Sequence, residues 1–251
     1  MHSSEFNDAN QGWLGRIWRL TSFVLLPFFL AFAVAVAVTA YIETRSGLTG
    51  SASTEAQTLS PLAQLMNLSP LANRAAPGFA LTNQNGRVVS LANFRGKVVV
   101  LAFIDSRCTE VCPVVAQEII GADHQLGASA RNVAFVGVNV NPLAESVVDV
   151  RRFSDEHGLS ALPNWYYLTG STTVLSQVWK NYGIQVELPR NATQTVHADY
   201  LYFLSPLGRE RFLAEPIVNQ RRNGVGYLPA DLVRRWSKGI AHYVELSMNV
   251  N

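Results

Sequence analysis

Two β-branched apolar runs restrict most what this chain can fold into: KVVVLAFI at residues 97–104 and VAFVGVNV at 133–140. Neither alternates apolar with polar residues, so each reads as a strand buried on both faces, which demands a sheet with helices on both sides. Between them, beyond Pro113, the apolar spacing becomes helical through Gln125, and the three segments form a β-α-β unit. An Asn85-Gly86 turn flanked by residues 78–81 and 87–90 predicts a hairpin before that unit. After it the pattern predicts a helix at about 145–157, a strand at 165–168 and a helix at 173–182. Strands at 200–205 and 210–214 follow, with Gly208 between them, and Pro229 opens a last helix to about Met248. The predicted fold class is therefore α/β, a thioredoxin-like mixed sheet flanked by helices and assembled from βαβ and ββα halves.

Part of the apolar content lies outside that sheet. Residues 20–42 read LTSFVLLPFFLAFAVAVAVTAYI without a charge, enough helix to cross a ~30 Å hydrocarbon layer. Arg16 and Arg19, with Trp13 and Trp18, flank its N-terminal side, whereas Glu43 and Arg45 cancel beyond it. This bias predicts a cytoplasmic segment 1–19, a signal-anchor transmembrane helix at 20–42 contacting membrane lipid, and all later residues on the extracytoplasmic, periplasmic side of the cell membrane. Cleavage as a signal peptide after the small residues Val38-Thr39-Ala40 is the competing reading. Residues 43–76, rich in Ser, Thr, Gly and Ala with at most one short helix, read as a flexible linker. One domain then spans 77–251. With a formal net charge of +2 and 15% charged residues, the chain lacks the cationic surplus of a nucleic-acid binder, and its hydrophobic content excludes a disordered one.

The only cysteines stand together in Cys108-Thr109-Glu110-Val111-Cys112, between the end of a buried strand and Pro113. Backbone N–H groups at a helix start and the adjacent Arg107 favour thiolate, the nucleophilic and metal-binding form, while Glu110 opposes it. A structural disulfide closing so short a loop would contribute only ~2 kcal/mol. Copper binding and thiol redox chemistry are the other readings, since two thiolates with an imidazole suit Cu(I). Among the histidines, His2 precedes the membrane segment, His124 and His242 fall on helices, and His157 precedes Gly158 at a helix end. His197 differs in ending the polar loop LPRNATQTVH just before a central strand.

At these residues the chain resembles the Sco/SenC family of membrane-anchored, thioredoxin-fold copper chaperones for cytochrome c oxidase assembly. The resemblance runs from about Pro77 to the C-terminus through PGFALTNQNGRVVSLANFRGKVVVLAFI, CTEVCP, WYYLTG and HADYLYFLSPLG. It implies one copper ion per chain held by Cys108, Cys112 and His197, delivered to a respiratory oxidase subunit with a copper site. Asn141-Pro142 stands where the family commonly has Asp-Pro, and Val196 and Ala198 replace the usual Asp and Ser around the histidine. C-x-E-x-C is also similar to the dinuclear copper loop of oxidase subunit II, but the further ligands of that loop fall on Ala116 and Ile119. The enzyme-class alternative is an extracytoplasmic thiol-disulfide oxidoreductase in which Cys108 and Cys112 form a redox-active, catalytic pair that reduces target cysteines before metallation. Thioredoxin-like reductases usually resemble one another in a CxxC pair and a cis-proline before the later central strand, whereas this chain has CxxxC and no proline from Val196 to Leu204.

Overall fold

The seven residues Val98–Ile104 form a strand with every side chain buried, and Val133–Asn139 form a second of the same kind. In the computed structural model, which describes residues 60–191 and 195–248, they pair in parallel from Val98 against Val133 to Ile104 against Asn139. The strands in chain order are β1 (Ser69–Pro70), β2 (Ala80–Asn83), β3 (Val88–Ser90), β4 (Val98–Ile104), β5 (Val133–Asn139), β6 (Trp165–Thr169), β7 (Val186–Glu187), β8 (Val196–His197), β9 (Leu201–Leu204), β10 (Glu210–Ala214), β11 (Asn219–Gln220) and β12 (Gly226–Tyr227). Eight form one sheet in the order β1-β10-β9-β4-β5-β6-β2-β3; β7 pairs with β8 and β11 with β12 as separate ribbons. The central strands β4, β5 and β6 run parallel. Neighbours β9 and β2 run antiparallel to them, making the sheet mixed.

The helices are α1 (Pro61–Leu65), α2 (Val111–Leu126), α3 (Val147–Glu156), α4 (Thr172–Asn181) and α5 (Ala230–Met248). Alternate residues of β4 serve opposite cores, because successive strand side chains point to opposite faces. Val98, Val100, Ala102 and Ile104 pack with Ile119 of α2, Phe153 of α3 and Trp236 of α5. Val99, Leu101 and Phe103 pack with Leu175 and Trp179 of α4 and with Phe79 and Leu81 at the hairpin. The predicted α/β, thioredoxin-like sandwich is thus present, and each strand and helix predicted for the domain beyond Pro77 appears within a few residues of its expected place. The Asn85-Gly86 turn is also present, with Gly86 at φ 76°, a left-handed conformation that glycine adopts without a Cβ penalty.

Two differences follow from packing that local sequence does not encode. Helix α2 starts at Val111, placing Cys112 inside its first turn. Packing also extends upstream of Pro77: α1 and β1 lie within the stretch expected to be a linker, where Ala63 and Met66 are buried and β1 pairs with β10. Ser60 caps α1 by accepting from the Ala63 amide at 3.1 Å, the usual N-cap bond of a serine. The expected membrane helix at 20–42 lies outside the described residues, among which no helix is long and apolar enough to cross a membrane.

Candidate metal centre

The cysteines sit where β4 gives way to α2. Cys112, the second residue of the helix, is buried, and Cys108 is half-buried in the turn before it. That turn is drawn tight by the Cys108 amide, which donates to the Asp105 carbonyl at 3.1 Å. The Glu110 amide donates to Cys108 Sγ at 3.4 Å. A hydrogen bond from the Cys112 thiol, helped by the Cys112 and Glu110 amides, holds the Cys108 thiol below its ordinary value. Burial, reinforced by the neighbouring Cys108 sulfur, pushes the Cys112 thiol well above it. The expected help from Arg107 is absent: its guanidinium turns to Asp149 at 3.9 Å. The carboxylate outcompetes a neutral sulfur for the cation, and the thiolate preference of Cys108 rests instead on the Cys112 thiol, with the backbone amides adding to it.

His197 stands on β8, paired across the short ribbon with Val186 of β7. Its side chain is almost wholly enclosed, with 4% exposed. One ring nitrogen of His197, the Cys112 sulfur and a carboxylate oxygen of Asp199 all lie within 4.8 Å of one another, the only such trio of metal-ligating side chains found among the described residues. Cys108 joins this group through its hydrogen bond with Cys112 rather than by lying within the same radius of all three. A cleft of about 360 Å³ opens onto the cluster, lined by Cys108, Glu110, Val111, Pro189, Thr195, Val196, His197 and Asp199. The other described histidines take structural places. His157 ends α3 against the Phe153 ring, its pKa lowered by burial, while His124 lies in the last turn of α2 and His242 in α5. Ala116 and Ile119, the positions a dinuclear copper loop would need for ligands, are buried apolar residues of the core.

Three residues of the site, Asp105, Asn141 and Asp199, lie outside the expected ligand set. Asp105, buried at the end of β4 with 1% exposed, accepts from the Arg107 amide at 2.7 Å and from Asn141 Nδ2 at 2.8 Å through one oxygen. Through the other it accepts from the Thr195 amide at 2.7 Å and the Thr195 hydroxyl at 3.1 Å. A single carboxylate therefore ties the turn bearing Cys108 to the chain two residues before His197. Its Asn141 partner stands where the resemblance expects an acid, and the carboxylate of this corner is that of Asp105, the residue after β4. Asp199 is the third, and one signal could have revealed it: in extended chain residue i+2 returns to the side of residue i, which puts Asp199 beside His197. Burial raises the Asp199 carboxyl above its ordinary value, against the nearby imidazole.

The ribbon β11–β12 braces the cysteine turn from outside. Gly226 donates its amide to the Thr109 carbonyl at 3.1 Å, and Gln220 donates to the Glu110 carboxylate at 2.5 Å. A Cβ on Gly226 would lie 2.1 Å from the Glu110 carbonyl oxygen, so only glycine fits this approach.

Sheet order, strand-to-helix cysteine pair and facing histidine define a thioredoxin-like domain equipped with a candidate thiolate–imidazole metal centre. A family model described as SCO1/SenC matches residues 69–220, more than half of the chain, and the protein belongs to that family. It is 27% identical over 155 residues to the SCO1 homolog of Bacillus subtilis, covering 61% of this chain and 76% of that protein. It is 30% identical over 137 residues to the mitochondrial SCO2 homolog of Bos taurus, covering 52% and 50% respectively. The chain thus spans about half the length of that mitochondrial relative. Among solved structures, Bradyrhizobium japonicum ScoI with copper bound superposes with a TM-score of 0.53 at 21% identity, over 69% of this chain and 99% of that one. BsSco, described as a member of the Sco family of cytochrome c oxidase assembly proteins with a disulfide switch, gives 0.55 at 24% identity over 73% and 98%. These likenesses establish the fold. The donor set of sulfur, imidazole and carboxylate is one that copper accepts in either oxidation state.

Proposed function

We propose that this protein is a copper chaperone that delivers one ion to a respiratory oxidase subunit with a copper site during its assembly, holding the ion through Cys108, Cys112 and His197. The observation that carries this reading is the enclosed His197 imidazole beside the Cys112 sulfur, which is itself hydrogen-bonded to Cys108. A thiol pair used only for redox chemistry has no need of an imidazole there. The copper-bound neighbours and the family membership support it. Copper is cargo in this account. An incoming thiolate displaces one donor at a time, so the soft ion passes to its recipient without release to water. The half-buried Cys108 on the cleft is the donor exchanged first, and buried Cys112 holds the ion longest. Residues 20–42 anchor the chain in the cell membrane and place the domain on the periplasmic side, in keeping with the uncharged run and the arginines that precede it.

The asymmetry of the cysteines favours a second reading, an extracytoplasmic thiol-disulfide oxidoreductase. In that reaction the Cys108 thiolate attacks a target disulfide and forms a mixed disulfide, releasing one target thiolate. Cys112 then loses its proton and attacks Cys108, freeing the reduced target and leaving a Cys108–Cys112 disulfide that an external thiol reductant must reopen. The two readings part at His197. In cells carrying His197→Ala, a chaperone fails to assemble the oxidase copper site, whereas a reductase still supports it. Normal assembly with His197→Ala beside failure with Cys108→Ser would replace the first reading by the second.

A further inference from the structure

We infer that the two short ribbons beside the copper cleft form a docking rim for the copper recipient, and that Arg190, Arg221 and Arg222 recognise an acidic surface around its copper-accepting residues. The inference rests on the chaperone reading above and gives its partner a chemistry. It begins from position. On the histidine side Pro189 and Val196 line the cleft, and Arg190, the residue after Pro189, is exposed. On the cysteine side Gln220 of β11 holds the Glu110 carboxylate and Gly226 of β12 donates to the Thr109 carbonyl. That ribbon is therefore fixed to the cysteine turn. Gln220 pairs with Gly226, and Asn219 with Tyr227. Residues two apart along a strand share a face, so with Gln220 and Gly226 turned to the cysteines, Arg221 and Tyr227 occupy the outer face. The Arg221 guanidinium lies 5.1 Å from the centre of the Tyr227 ring, a cation–π contact that steadies it there. Arg222 follows in the turn that the Gly224 amide closes on the Arg221 carbonyl, and it is exposed.

These charges have no use inside the fold. Among the described residues the ion pairs join Arg74 to Glu210, Arg107 and Arg152 to Asp149, and His197 to Asp199, and none involves Arg190, Arg221 or Arg222. Exposed apolar side chains accompany them, Leu188 and Val196 on the histidine side and Tyr227 on the cysteine side. Arginine and tyrosine beside apolar groups is the composition of a protein interface, where lysine and glutamate are depleted. The cleft itself has the opposite sign, being lined by Glu110, Asp199 and the Cys108 sulfur. Two thiolates and two carboxylates outweigh the charge of one Cu(I), so an incoming thiolate gains no attraction from the lining. Attraction has to come from the edge. Guanidinium forks meet carboxylates through paired hydrogen bonds, which fix register as well as drawing the partner in. A recipient with carboxylates around its thiolates would seat on the rim and bring those thiolates over Cys108, the donor exchanged first.

The test uses the full chain in detergent, metal-free and Cu(I)-loaded, with the copper-free oxidase subunit as probe. The rim variant carries Arg190→Gln, Arg221→Gln and Arg222→Gln. The control carries Arg234→Gln and Arg235→Gln on α5, where the Arg234 carbonyl accepts from Gln125 at the far end of α2, roughly 20 Å along that helix from Cys112. Chelator competition should give both variants the copper affinity of the wild type. Association of the metal-free chain with the subunit at low salt should weaken about tenfold or more in the rim variant and less than about twofold in the control, and the gap should close at high salt. Copper transfer, followed by stopped flow, should slow by the same factor at low salt. Equal losses in rim and control would reduce the effect to net charge and overturn the assignment, as would unchanged association of the rim variant or no association of the wild type. Loss of binding to phosphatidylglycerol vesicles in the rim variant, with association to the subunit intact, would give the rim to the membrane instead. A wild-type chain that binds the subunit through the rim yet neither holds nor transfers copper would overturn the chaperone reading and leave the rim standing, so the two failures are separable.

Discussion

The cysteine-bearing junction is built into the core, whereas the histidine stands on a ribbon with two residues per strand. Cys112 comes after a seven-residue strand with every side chain buried and is the second residue of a sixteen-residue helix that packs against α5. His197 belongs to β8, whose other residue, Val196, is 61% exposed. The junction is over-determined by sheet and helix. The ribbon is not, and its hold on the rest of the site runs through Asp105, which accepts both polar hydrogens of Thr195. The difference teaches that a soft-metal site can take its buried thiol from the fold and its exchangeable geometry from a loop, provided that one buried carboxylate fixes the distance between them.

The comparison breaks most severely at that carboxylate. Asp105→Ala leaves the Arg107 and Thr195 amides without this acceptor, a loss of about 3 kcal/mol or more, measurable by urea denaturation. Copper affinity should fall with it even though no donor has been removed. Next is the outer brace: Gly226→Ala forces a Cβ against the Glu110 carbonyl and should cost about 2 kcal/mol as the ribbon shifts. A thermal midpoint equal to that of the wild type would contradict so close an approach.

The same contrast explains what could be read in advance. Strands β4 and β5 are long continuous apolar runs, a signal that needs no tertiary context, and the Cys-x3-Cys pair between strand and helix marks itself. Ribbons β7–β8 and β11–β12 have two residues per strand, too few to show any period. Asp105 reads as an ordinary acid after a strand, because its partner Thr195 is 90 residues away. Arg107 reads as an activator of the thiols because nothing local in the sequence places Asp149, a residue of α3, beside it. The stretch before Pro77 reads as linker by composition, and only the burial of Met66 against Gly239 of α5 reveals its packing.

Two smaller effects sharpen the view of the cysteine side. The low pKa of Cys108 depends chiefly on the Cys112 thiol, so Cys112→Ala should move its alkylation profile with iodoacetamide to higher pH and slow the reaction at neutral pH by up to about tenfold. A profile left where it was would assign the activation to the backbone amides alone. The smallest effect concerns Glu118 on α2, fully buried, with neither carboxyl oxygen hydrogen-bonded to any of the described residues. Burial raises its carboxyl well above the ordinary value, so the folded chain keeps a proton that the unfolded chain releases. Stability is then greatest below the unfolded carboxyl pKa of about 4.3 and falls as pH rises from there toward the folded value. Glu118→Gln cannot titrate, and its stability relative to the wild type should improve across that window. A constant difference between the two from pH 4 to 7 would contradict the assignment.

The central claim is that a thiol pair from the core and an imidazole from the ribbon form one copper site. X-ray absorption at the copper edge of the Cu(I)-loaded full chain tests it most directly. The account predicts two sulfur scatterers and one imidazole, with the imidazole signature lost in His197→Ala and copper absent from the Cys108→Ala, Cys112→Ala double variant. A two-coordinate, sulfur-only spectrum that is identical in wild type and His197→Ala would contradict it.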